Sequence, residues 1–249
     1  MTMNLEPNTI VETGAAALLF AAVFLVGGRV HPLRALIRDR RSIISFSAGM
    51  SAAYVFVHLM PEMSGARRAF ADSVSVELPH EGMVIYFLAL IGFLAFYGLE
   101  HLRAHLRESE ATEEDGGAFK LHISGFAAYV GLMSYLMVRN LEETALSTGL
   151  YAIAFGFHFL TLDHALREEH GTAYERVGRW VLAAMAVVGW AAGVLFALPH
   201  HTIALLLAFV SGAVIMNSAV MELPSEKDGR FLPFMLGGLV YGLVLLPLG

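Results

Sequence analysis

The sequence predicts an all-α polytopic membrane protein. Eight transmembrane helices are expected in one membrane domain over residues 1–249, with the N- and C-termini outside. Three observations carry this reading. Hydrophobic residues make up 57% of the chain and charged ones 15%, against about 45–50% and about 25% in an average soluble domain. The apolar residues are gathered into eight runs of around 20, the length that crosses a bilayer. The basic residues fall almost entirely between alternate runs. In hydrocarbon such runs must satisfy their own backbone hydrogen bonds, so they are read as helices.

The first run, residues 11–28, follows MTMNLEPNTIVETG, which lacks the basic segment of a cleavable signal, so it is expected to stay as a span. An Arg-rich stretch separates it from residues 43–60, which close on HLMPE. The third run, 83–99, passes into a charged, Glu-rich connection before the fourth, 121–145. Ser147-Thr148-Gly149 is the turn signal that opens the fifth, 149–166. The sixth, 181–198, ends at Pro199-His200-His201 before the seventh, 203–221. Glu226-Lys227-Asp228-Gly229 precedes the eighth, 231–248.

With the N-terminus outside, the inner connections hold Arg29, Arg34, Arg38, Arg40, Arg41, Arg103, Arg107, Lys120, Arg167, Arg176, Arg179, Lys227 and Arg230. Only Arg67, Arg68 and Arg139 of the 16 Lys and Arg fall on the outer half. An excess of basic residues on the cytoplasmic side then puts both termini outside, in a multi-pass protein of the cell's inner (plasma) membrane. Zero cysteines remove disulfides, thiolate metal sites and cysteine nucleophiles together.

An internal echo joins the second and seventh runs. FSAGMSAAYVFVHLMPE and VSGAVIMNSAVMELPSE both place small residues early, and each has a proline twelve positions after a glycine, Gly49 to Pro61 and Gly212 to Pro224. Since these runs cross in opposite directions, one reading is an inverted repeat, as in secondary transporters. The other is small-residue packing between membrane helices. Gly27-Gly28 and Gly237-Gly238 are read in that second way.

The stretch LMVRNLEETALSTGLYAIAFGFHFLTLDHAL is apolar but carries Arg139, Asn140, Glu142, Glu143, His158 and Asp163. Ionisable groups inside a membrane are costly and usually functional. If the chain turns at residues 147–149, Arg139 and His158 lie about equally far from the turn, roughly 13–15 Å deep at a rise of about 1.5 Å per residue. Arg139, Asn140 and His158 are then expected in one polar layer, with Glu142 and Glu143 a turn nearer the outside. Arg139 and Glu143 are four apart and Asn140 and Glu143 three apart, so they can share a face. Asp163, five residues from His158, points away from it.

Eight spans with both termini outside, HLMPE in the second and GAVIMNSAVMELP in the seventh resemble the ZIP (Zrt/Irt-like) family of divalent metal transporters. The resemblance covers nearly the whole chain in topology and only part of the motifs. That family's fourth span reads His-Asn-x-Pro-Glu-Gly, and its fifth carries a His with a Glu four residues later, lining a transition-metal site at mid-membrane. Here RNLEET occupies the motif: Asn140 and Glu143 match, while Arg139, Glu142 and Thr144 replace His, Pro and Gly. His158 matches the fifth-span His, and Leu162 stands where the Glu would be. The resemblance implies Asn140, Glu143 and His158 as ligands for zinc or a similar divalent cation, carried as substrate. A guanidinium has no lone pair to give, so Arg139, with Glu142, is expected to modify the site, either swinging aside or replacing the metal's charge.

Further residues are read both ways. Glu62 is a pathway carboxylate or the polar end of a helix. His58, Glu222 and Asn217 are pathway groups or ordinary polar tips and helix bridges. His101 and His105, four apart at the inner end of the third run, present two imidazoles on one face. With His122 and ESEATEEDGG they form a metal-release patch or a solvated charged loop. His200-His201 collects metal or makes a tight turn, and the 12 methionines fill gaps.

Two rival functions remain open. His158, Asp163 and His164, with His58 or His122, contain enough ligands for a zinc that activates water, as in an intramembrane metal-dependent hydrolase. A non-transporting membrane sensor with Arg139 as its fixed cation is the other. The leading expectation is a transporter, not an enzyme, whose partners are the lipid bilayer and a metal cation and include no nucleic acid. Such folds are commonly dimeric, and no stretch of the chain fixes that.

Overall fold

The computed structural model describes residues 5–29, 40–73, 81–109, 116–140, 145–218 and 229–246. Among these the chain is helical, with no strand. The helices are α1 (Pro7–Val26), α2 (Arg40–Ala53), α3 (Met60–Ser73), α4 (Glu81–Ser109), α5 (Gly117–Asn140), α6 (Ala145–Ala173), α7 (Arg179–Leu195), α8 (His200–Met216) and α9 (Phe231–Leu245). A proline at the first helical position opens α1, where its missing N–H costs nothing.

Among the described residues, five stretches are long and apolar enough to cross a membrane: Pro7–Val26, Arg41–Arg68, Met83–Leu106, Gly117–Arg139 and Thr148–Leu195. His200–Met216 and Phe231–Leu245 are shorter apolar helices. The 48-residue stretch doubles back at Gly171, whose φ of 47° suits a residue without Cβ. Past it, the Tyr174 hydroxyl donates to Asp163 at 2.7 Å, eleven residues earlier. In a continuous helix those residues would stand roughly 16 Å apart. Large apolar side chains such as Leu18, Phe87, Leu94, Val188 and Leu243 face outward, as lipid-facing surfaces do and water-facing ones seldom do.

Several elements differ from the sequence expectation. The second run was expected to end at Met60 ahead of Pro61, but the helix continues through α3 to Ser73. Pro61 cannot donate to a carbonyl one turn back. The mismatch is absorbed by a π-helical stretch, Tyr54–Leu59, in which the Met60 N–H reaches Val55 O five residues back. The helices of the third and fifth runs, α4 and α6, also outrun their apolar segments, to Ser109 and Ala173. Ser147-Thr148-Gly149 is not a turn: α5 ends at Asn140, α6 begins at Ala145, and all three residues lie inside α6.

Glycines set the closest helix contacts. A Cβ on Gly237 would strike the Phe46 carbonyl, and one on Gly49 the Phe234 carbonyl, where α2 crosses α9. A Cβ on Gly92 would strike the Phe209 carbonyl, and one on Gly212 the Ala89 carbonyl, where α4 crosses α8. In each helix the glycine comes three residues after the residue whose carbonyl meets the partner glycine. The two crossings therefore share one pattern, and Gly49 and Gly212, which align in the sequence echo, hold equivalent places in it. A third close pair, Gly131 on Gly189, joins α5 to α7. Gly27 and Gly28 likewise let the end of α1 approach Asp163 and Arg167 on α6. Without a hydrophobic force between helices in lipid, this backbone proximity supplies the dispersion that holds them.

Candidate functional site

The core of the bundle holds a polar group built on His158, which is 2% exposed. Its Nε2 lies 2.9 Å from the Tyr129 hydroxyl of α5. The rings of Phe155 and Phe159 pack around it, and Tyr54, from the π-helical stretch, packs on Phe155. Beside it is a void of about 10 Å³ lined by Ser51, Tyr54, Ala154, Phe155, Val214 and Ser218. A second void of about 20 Å³ shares Tyr54, Phe155 and Val214 and extends to Glu62, Tyr151 and Ser211. Each has room for about one water. Ser51 Oγ, Ser218 Oγ and Asn217 Nδ2 are buried and make no hydrogen bond among the described residues. Buried polar atoms normally find partners, so Ser51 and Ser218, which lack them and line the void with His158, mark a candidate binding place.

Arg139 is not level with His158. Its Nη2 donates to the Val194 carbonyl at 3.3 Å, at the end of α7. Tyr129, which touches His158, lies ten residues back along the same helix, roughly 15 Å away at the helical rise. The Tyr151 hydroxyl donates to the Met133 carbonyl, so the pairing of α5 with α6 has its sequence midpoint at residue 142 rather than 148. The expected layer joining Arg139 to His158 is corrected accordingly. The Asn140 side chain, Glu142, Glu143 and Glu222 lie outside the described residues.

The other predicted residues are dispersed. His58 faces Glu62 at 3.9 Å on the π-helical stretch and α3, and Glu62 also lines the larger void. Asn217 is buried, and its neighbour in the chain, Ser218, lines the void beside His158. Asp163, fully buried, accepts from Arg167 and Tyr174 and does not face His158. His164 pairs with Glu168 at 3.3 Å. The ligand set imagined for a hydrolase is thus spread over separate partners. His101 and His105 are both exposed and take no part in the packed interior. Residues 110–115 of the acidic run lie outside the described residues.

A second polar layer lies where the C-terminal ends of α4 and α6 meet the N-terminal end of α5. Glu100 and Arg103, not His101, turn inward. Glu100 Oε1 lies 2.7 Å from His122 Nε2, and His122 Nδ1 lies 2.7 Å from His170 Nε2. Arg103 pairs with Glu100 at 2.9 Å and with Glu169. Sequence reasoning noticed His122 but missed Glu100, Glu169 and His170. The available signal was a run of charges continuing each helix beyond its apolar stretch, in EHLR and REEH. Their convergence depends on helix ends far apart in the chain.

The sequence matches no known family model and no curated protein. The apolar helices, their lipid-type outer faces and the ionisable groups turned inward define a helical membrane protein.

Proposed function

We propose that the chain is a ZIP-like transporter of divalent transition-metal cations, zinc or a similar ion. It crosses the inner membrane eight times with both termini outside, and the α2–α9 and α8–α4 crossings are the two halves of an inverted repeat. One observation carries the reading: a buried imidazole, His158, lines a small void with the hydroxyls of Ser51 and Ser218, and a neighbouring void that shares Tyr54, Phe155 and Val214 reaches the Glu62 carboxylate. Such groups inside a membrane bundle mark an ion path rather than a packing convenience. Imidazole and oxygen donors suit zinc and its neighbours.

The position of Arg139 supports transport rather than a fixed-cation sensor. Held at the end of α7, its charge does not stand beside His158, where it would repel a dication. His158, Ser51 and Ser218 form the central station of the path, with Glu62 and His58 approaching it. Asn140 and Glu143, which match the family motif in sequence, are proposed with His158 as ligands of the cation. Cells expressing the chain are expected to accumulate radioactive zinc or cadmium above vector controls, with no gain for calcium or magnesium. Equal accumulation of all four ions, or none, contradicts the reading.

A further inference from the structure

We infer that His122, Glu169 and His170 form a transition-metal site of their own, at the end of the bundle where α4, α5 and α6 converge. Each offers one ligand atom, and these atoms all lie within 4.8 Å of one another. Along α5, His122 is seven residues from Tyr129, and along α6, His170 is twelve from His158. At the helical rise this places the site roughly 10–18 Å from the His158 group, too far to share an ion with it.

The hydrogen bonding prepares the donors. A carboxylate only accepts, so the 2.7 Å contact of Glu100 Oε1 with His122 Nε2 puts the ring proton on Nε2. That leaves the Nδ1 lone pair aimed at His170 Nε2, 2.7 Å away, and at Glu169 Oε2, 3.8 Å away. A ligating histidine whose other nitrogen donates to a carboxylate is the usual arrangement around protein-bound metals. His122 is 1% exposed and so held in this orientation by its surroundings.

Arg103 supports both carboxylates. It takes one oxygen of Glu100 and Oε1 of Glu169, which leaves Glu169 Oε2 turned toward the imidazoles. With neutral histidines, two carboxylates and one guanidinium leave the cluster one negative charge, which favours a cation. Without metal, the His170 N–H can donate to His122 Nδ1. With metal, His170 moves its proton to Nδ1 and both nitrogens face the ion. Two imidazoles and one carboxylate select zinc, cobalt(II) or nickel(II) over calcium or magnesium. Three protein donors leave one position of a tetrahedral ion open, as in exchangeable rather than structural sites.

The rival account is an ionic layer that ties three helices together without metal. Cobalt(II) titration of the purified full-length protein in detergent, followed by its visible ligand-field absorption, separates the two. In a His158→Ala background, one saturable cobalt site that zinc displaces, and a hundredfold excess of calcium does not, is expected. His170→Ala and Glu169→Gln, both at partly exposed positions, should each weaken it at least tenfold. Glu100→Gln removes no donor atom and should still weaken it about 10–100-fold through the orientation of His122. No saturable absorption, or unchanged affinity in His170→Ala and Glu169→Gln, overturns the proposal. The outcome is independent of whether the chain moves ions across a membrane.

Discussion

Asp163 is a buried carboxylate that stays in an apolar bundle because it is fully engaged. Both of its oxygens accept from Arg167 at 3.0 Å, and Oδ1 also accepts from Tyr174 at 2.7 Å. Arg167 in turn reaches Glu175, and Arg179 reaches the same carboxylate at 3.2 Å. The hydroxyl of Tyr174 thus ties the segment after Gly171 back onto α6. Tyr174→Phe keeps the ring and removes only that donor, at an expected cost of about 1–3 kcal/mol. Thermal unfolding in detergent should show a lower midpoint, and an unchanged midpoint would mean that the bond contributes nothing. The identity of these partners was hidden in the sequence. Asp163 and Tyr174 are eleven residues apart, and only the reversal at Gly171 brings them together.

At the scale of elements, the apolar runs were legible because lipid demands length and uniformity of each span. Their ends were less so. The helices continue where the hydrocarbon pattern stops, since a charged helix end is stable in headgroups or water and leaves no hydropathy signal. The turn between α5 and α6 was misplaced because Ser147-Thr148-Gly149 reads as a loop in water, whereas small and hydroxylated residues are at home inside membrane helices. That shift of a few residues separated Arg139 from His158. The glycine crossings carry a prediction at this scale. Gly49→Ala and Gly212→Ala would each drive a Cβ into a backbone carbonyl that cannot rotate away, and overpacking of this kind costs about 1–3 kcal/mol. Gly149→Ala and Gly65→Ala meet nothing within 4 Å and should leave the melting midpoint in detergent unchanged or slightly raised. Equal behaviour of the two pairs would contradict the assigned crossings.

For the whole molecule, the sequence displayed the membrane class and one member of the core group, His158, through its place in an apolar run. It did not display Tyr129, Ser51 or Ser218 as neighbours of that histidine, because hydroxyl groups in membrane helices look alike whether they line a site or bond their own backbone. Thr161, which donates to the Phe157 carbonyl at 3.1 Å, is the second kind. Among the described residues, polar groups thus gather around His158 and around His122, with packed apolar side chains such as Phe126 and Leu166 between them along α5 and α6. A moving ion would meet them in turn. Zinc flux into vesicles reconstituted with the purified protein, read by a trapped fluorescent chelator, tests this most directly. The account predicts saturable flux that falls at least tenfold in His158→Ala and is unchanged when His101 and His105 are both replaced by alanine. Wild-type flux no higher than that of empty vesicles, or full flux in His158→Ala, would contradict it.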